Sequence, residues 1–110
     1  MPRSLLTDFE LMILLATLRV GEGAYGVPIA REIEETGVRP VALAAVYAAL
    51  DRLERNGLVT SKLGGSTPER GGRARKLFEV TREGLRAVKQ TQQALVALWS
   101  GVPQLKGRQT

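Results

Sequence analysis

Apolar positions in this chain recur at helical spacing in some stretches and alternate in others, and the changes of spacing mark its parts. The most regular stretch is residues 41–59, VALAAVYAALDRLERNGLV. Leu43, Val46, Leu50 and Leu53 recur every three or four residues and predict one apolar face of a helix over residues 41–56. The remaining positions are small at first (Ala42, Ala44, Ala45, Ala48, Ala49) and charged later (Asp51, Arg52, Glu54, Arg55). Such a helix buries one side and offers a flat, low-profile opposite side that suits a groove. Gly57 closes it, and residues 58–63, LVTSKL, read as a strand.

Ahead of this stretch, Thr7 and Glu10 form the two ends of a capping box and predict a helix from there to about Arg19. Within residues 9–18 only Glu10 and Thr17 are not apolar, so this helix is buried on more than one side. Either a second chain covers it or it is the central core helix of one chain. Residues 21–26, GEGAYG, fit G-x-G-x-x-G, yet the preceding capping box and the missing β–α alternation point to a glycine turn between helices rather than a dinucleotide site. A helix over residues 27–36 follows, with Pro28 in its first turn, Ile29 and Ile33 inward, and Gly37 at its end. Pro40 keeps the link at 38–40 extended.

Beyond the strand, residues 64–72 (GGSTPERGG) read as a loop, and residues 75–80 as the returning strand, with Phe78 and Val80 on one face. Thr81 caps a last helix whose stripe is Leu85, Val88, Gln92, Leu95, Trp99 and Val102. Residues 94–99 are apolar on every side, a patch that needs another helix, and a second copy of the chain is the simplest partner. Pro103 breaks the helix.

Charge sharpens this picture. The chain has 110 residues and a net charge of +5, unevenly placed: the 10 Lys+Arg against 3 Asp+Glu that follow residue 60 contrast with 6 against 8 before it. A basic half on a near-neutral body fits a polyanion, nucleic acid or anionic membrane. Cysteine and histidine are both absent, which excludes disulfides, thiolate or zinc–thiolate chemistry and imidazole catalysis. No carboxylate pair lacks a simpler capping or surface role, so no enzyme, metal or cofactor is expected. No leader is visible and no apolar run reaches the roughly 20 residues of a membrane span, so the expectation is a cytoplasmic protein with no membrane partner.

The resulting order is helix, helix, helix, two-stranded wing, long helix. The expected class is mainly α with a two-stranded β-wing: a winged helix-turn-helix plus a long C-terminal dimerisation helix. Three stretches resemble the PadR-like transcriptional regulators. Tyr25-Gly26-Val27-Pro28-Ile29 is similar to the family's Y-G-x-x-I. Residues 46–59, VYAALDRLERNGLV, resemble its L-Y-x-x-L-x-R-L-E-x-x-G-L-V, and residues 71–84, GGRARKLFEVTREG, its wing, G-G-R-x-[RK]-K-x-[YF]-x-[LV]-T-x-x-G. The resemblance runs from Leu6 to Trp99 and implies the short form with one C-terminal helix. It further implies a homodimeric repressor of double-stranded DNA, with the third helix in the major groove, the wing on the backbone and the last helix dimerising. Some family members release DNA on binding an aromatic small molecule, which makes such an effector a candidate partner and Trp99 its candidate contact. The alternative from another class is a winged-helix protein–protein module whose apolar helices dock a partner.

The expected division is a DNA-binding domain at 1–80, a dimerisation helix at 81–102 and a flexible tail at 103–110. Candidate DNA contacts are Tyr25, Arg39, Ala42, Ala44, Ala45, Tyr47, Ala48, Arg70, Arg73, Arg75 and Lys76. The four wing cations suit phosphate better than they suit a merely solubilising loop. Tyr47 could equally be a core ring and Arg39 a solvated linker residue; Tyr25 reads first as a core ring, and Arg52 and Arg55 read as partners of Asp51 and Glu54 within the helix. The dimer interface is expected at Phe9, Met12, Ile13, Leu85, Val88, Leu95, Leu98 and Trp99. One departure from the family stands out. Pro40, Val41, Ala42, Ala44 and Ala45 occupy places where the family often has Ser, Thr or Gly, which leaves apolar contact with thymine methyls as the main direct readout.

Overall fold

The computed structural model describes residues 5–37, 39–66 and 74–105. Its elements are α1 (Asp8–Val20), α2 (Gly26–Glu35), α3 (Leu43–Arg55), β1 (Val59–Ser66), β2 (Ala74–Val80) and α4 (Arg82–Ser100), followed by a 3-10 turn at Pro103–Leu105. The chain folds as a winged helix, mainly α, with a two-stranded antiparallel wing.

Local chemistry sets most boundaries. The Thr7 hydroxyl accepts the Glu10 N–H at 3.1 Å while the Glu10 carboxylate accepts the Thr7 N–H at 2.9 Å, the reciprocal bonds of a capping box. Gly37 and Gly57 take φ of 83° and 78° just past α2 and α3, where a side chain would be strained. No side chain caps α3, whose first residue follows Ala42. The last helix ends at Ser100, with Gly101 at its cap, so it stops before Pro103 rather than at it. Residues 103–105 form a turn where a frayed tail was expected, and residues 106–110 lie outside the described residues.

Ile13, Leu14, Ile29, Val46, Leu50 and Leu53, all fully buried, pack α1, α2 and α3 around one core that Val59 and Phe78 extend under the wing. Truncating one such leucine to alanine costs about 2–5 kcal/mol. Buried Thr17 satisfies its hydroxyl by donating to the Ile13 carbonyl at 2.7 Å. Leu43 departs from the expected apolar face. It sits in the first turn of α3 and is 42% exposed. Ile13 departs in the opposite sense: it is wholly enclosed by its own chain, so it is not available to the expected dimer interface. The segment rich in apolar residues on α1 is therefore mainly a central core helix, with Leu15 and Leu18 left at the surface.

The wing pairs Val59 with Val80, Ser61 with Phe78 and Leu63 with Lys76. Beyond Leu63 one extra residue of β1 bulges before Ser66 pairs with Ala74, so β1 continues into the expected loop. A third backbone segment touches the wing: the Phe78 N–H donates to the Ala24 carbonyl at 2.7 Å, tying β2 to the α1–α2 turn. The root of α4 is locked to the end of α3. Thr81 donates its N–H to the Leu58 carbonyl at 3.0 Å and its hydroxyl to the Gly57 carbonyl at 2.7 Å, while accepting the Gly84 N–H at 3.0 Å. Gly84 is required there, because a Cβ would stand 2.2 Å from the Leu58 carbonyl oxygen.

Candidate nucleic-acid interface

The first two turns of α3 expose Leu43, Ala44, Ala45 and Ala48, while Val46, Ala49 and Leu50 point into the core. The outward face is small-residued and uncharged, so the helix backbone can approach a surface closely. Ala42 precedes it, also exposed. Tyr47 flanks this face half-buried. Its ring rests on Gly26, where a Cβ would come within 2.3 Å of ring carbon, and its hydroxyl accepts the Gly26 N–H at 3.2 Å. Tyr47 thus joins α3 to α2.

The wing carries cations on both faces. Ser61 and Phe78 face α3, so alternation puts Lys76 on that side and Lys62, Arg75 and Leu77 on the other. Lys76 lies 3.4 Å from the Glu54 carboxylate, which also accepts the Ser61 hydroxyl at 2.6 Å. The Ser61 hydrogen bond, with Lys76 behind it, holds the Glu54 carboxyl below its ordinary range despite some desolvation. Glu54 was expected to pair within α3; the return strand supplies its partner instead. On the far face, the Arg75 guanidinium stacks over the Tyr25 ring, 3.9 Å from its centroid. Exposed Arg39 stands at the entrance to α3, with its guanidinium 5.7 Å from the Phe9 ring centroid. Arg70 and Arg73 lie outside the described residues.

The structure therefore brings Ala42, Ala44, Ala45, Ala48, Arg39 and Lys76 to the α3 side, and gives Tyr25, Tyr47 and Arg75 internal partners. Lys62 is an exposed wing cation that sequence reasoning passed over. Its place in a strand one residue from Ser61 and two from Thr60 was the available signal. The glycines of residues 21–26 form the turn between α1 and α2, with φ of 77° and 78° at Gly21 and Gly23, and no strand precedes them.

The opposite side of the molecule is apolar. Leu95, Val96, Leu98 and Trp99 on α4 are 45–72% exposed. With Leu11 and Leu15 of α1 and with Val88 and Gln92, three of these (Leu95, Val96 and Trp99) line a groove of about 320 Å³. Leu85 is exposed nearer the root, and Phe9 and Met12 are half-buried against the core. Among the described residues no acidic cluster could hold a metal ion, and no helix is long and apolar enough to cross a membrane.

Comparison with known proteins gives a consistent picture. The model of the transcriptional regulator PadR-like family matches residues 14–90. A PadR family transcriptional regulator from Eggerthella lenta is 26% identical, with a TM-score of 0.70 over 89% of this chain and 85% of that one. PadR-like regulators from Bacillus cereus (24% identity, TM-score 0.70, 91% and 93% covered) and Bacteroides fragilis (24%, 0.73, 89% and 89%) share the fold. No curated protein sequence matches.

Proposed function

The chain belongs to the PadR-like family of transcriptional regulators, and from that premise we propose that it is a cytoplasmic homodimer that binds double-stranded DNA and represses by occupying its site. The observation that carries the reading is the bare outward face of α3 beside a cationic wing. Ala44, Ala45 and Ala48 let the helix backbone sink into a major groove, which admits an α-helix. Arg39, Lys62 and Lys76, with Arg70 and Arg73, neutralise phosphates on either side and supply much of the affinity. With few polar base contacts on α3, selectivity comes from thymine methyls, DNA shape and half-site spacing.

The dimer uses the apolar side. The outer half of α4 lies in the α1–α4 groove of a second copy and covers Leu95, Leu98 and Trp99. An aromatic effector is assigned to the seam between the two copies, against the Trp99 indole. Residues 1–80 serve DNA, and residues 81–102 serve the partner.

Gel shift with genomic fragments at physiological salt tests the reading. A sequence-selective band from a dimer supports it. Its absence favours a protein-docking module instead. Titration with planar aromatic compounds, followed by Trp99 fluorescence, tests the effector, and an unmoved spectrum removes it from the reading.

A further inference from the structure

Three consecutive residues each hold a different part of the proposed contact surface in place. Ala24 accepts the Phe78 N–H at 2.7 Å, Tyr25 carries the Arg75 guanidinium at 3.9 Å, and the Gly26 N–H donates to the Tyr47 hydroxyl at 3.2 Å. The first two contacts fix β2, and the third fixes α3. One short run of backbone thereby ties the wing to the groove-entering helix.

Within this run, Arg75 is the unusual member. Its Nε is buried and has no hydrogen-bond acceptor among the described residues, so that N–H has exchanged water for the neighbourhood of an aromatic face. An arginine serving only to meet phosphate would keep its donors hydrated until the phosphate arrived. A planar guanidinium on a ring face is an attractive and orienting contact, which a lysine does not reproduce. A two-stranded hairpin has little rigidity of its own. Its angle to α3 must come from side contacts such as this one.

We propose that Arg75 is a positioning residue: its stack on Tyr25 sets the angle between the wing and α3, and so the separation at which the two surfaces meet DNA. This rests on the DNA-binding reading. It also reassigns Tyr25, whose ring matters and whose hydroxyl does not.

The test is a double-mutant cycle on the full chain, using a duplex that the wild-type protein selects from a random-sequence library. Tyr25→Leu and Arg75→Lys are each expected to weaken binding about three- to tenfold. The double variant should be no weaker than either single, and Tyr25→Phe should keep wild-type affinity. Without DNA, the Arg75 δ-protons should show an upfield ring-current shift that survives Tyr25→Phe and vanishes in Tyr25→Leu. Additive losses, a loss in Tyr25→Phe, or an unshifted Arg75 in the wild type would each overturn the proposal. Should Tyr25→Leu fail to fold, Tyr25→Phe and Arg75→Lys decide alone: intact binding in the first with loss in the second supports the stack, and any other pattern rejects it. A wild-type protein that binds no duplex would sink the DNA reading and the role of the wing angle with it. Wild-type binding with unaffected variants would sink the stack alone.

Discussion

The α3–wing side and the α1–α4 side of this protein manage exposed surface in opposite ways. On the first, two large side chains are drawn inward: Tyr47 lies on Gly26 and Arg75 on Tyr25. What remains outside is mostly alanine and charge, with Leu43 and Leu63 the exposed apolar exceptions. On the second, Leu98 and Trp99 are 72% and 63% exposed and no described residue covers them. A surface finished by its own chain can meet water alone and a charged partner transiently. A surface left unfinished needs a permanent partner.

The largest effect should come from removing the unfinished surface's reason to pair. Leu98→Glu combined with Trp99→Ser should yield a monomer at micromolar concentration by sedimentation. Losing the second half-site should lower DNA affinity by about 10²–10⁴. An intact dimer would break the contrast between the two sides. Next, Gly26→Ala drives a Cβ against the Tyr47 ring edge and hydroxyl. It should cost about 1–3 kcal/mol in urea unfolding, and Gly26→Ala with Tyr47→Phe should recover little, since the ring carbons stay in the way when the hydroxyl is removed. Lys62→Ala should leave stability unchanged and lower the salt slope of DNA binding by about one.

The smallest effect concerns Glu54. Its carboxyl is held below the ordinary range in the folded state, first by the Ser61 hydroxyl and then by Lys76. A lowered folded value means the contribution is present above the unfolded carboxylate range and is lost as pH falls through the folded one. Glu54→Gln should therefore be slightly less stable than wild type at neutral pH. The gap should close on acidification, read as converging thermal midpoints. A gap independent of pH would dissociate Glu54 from its two partners.

Much of the fold was legible because short-range chemistry fixed it. Thr7 with Glu10, Gly37, Gly57 and Thr81 each mark a boundary through bonds that span a few residues. The site was legible only in part. Glu54 looked like a partner for its own helix because its true partners, Ser61 and Lys76, come from strands whose register no local pattern specifies. Ile13 looked available to a second chain because an apolar helix does not say which of its faces the monomer consumes. The close approach of Gly26 to Tyr47 joins residues far apart in sequence, and only the glycine hinted at it.

Thr81 and Gly84 give α4 a root with no slack. The helix spans 19 residues, about 28 Å at the α-helical rise, and its base is bonded to Gly57 and Leu58 just beyond α3. It is a lever with its fulcrum at the end of α3. A tilt of about 5° at that fulcrum moves the far end by roughly 2.5 Å. In the proposed dimer the same lever works backwards: a small change in how two α4 helices seat would swing the two α3 helices apart or together. Half-sites lie one turn of the duplex apart, about 34 Å. Over that distance a few ångströms decide whether both helices can enter their grooves at once.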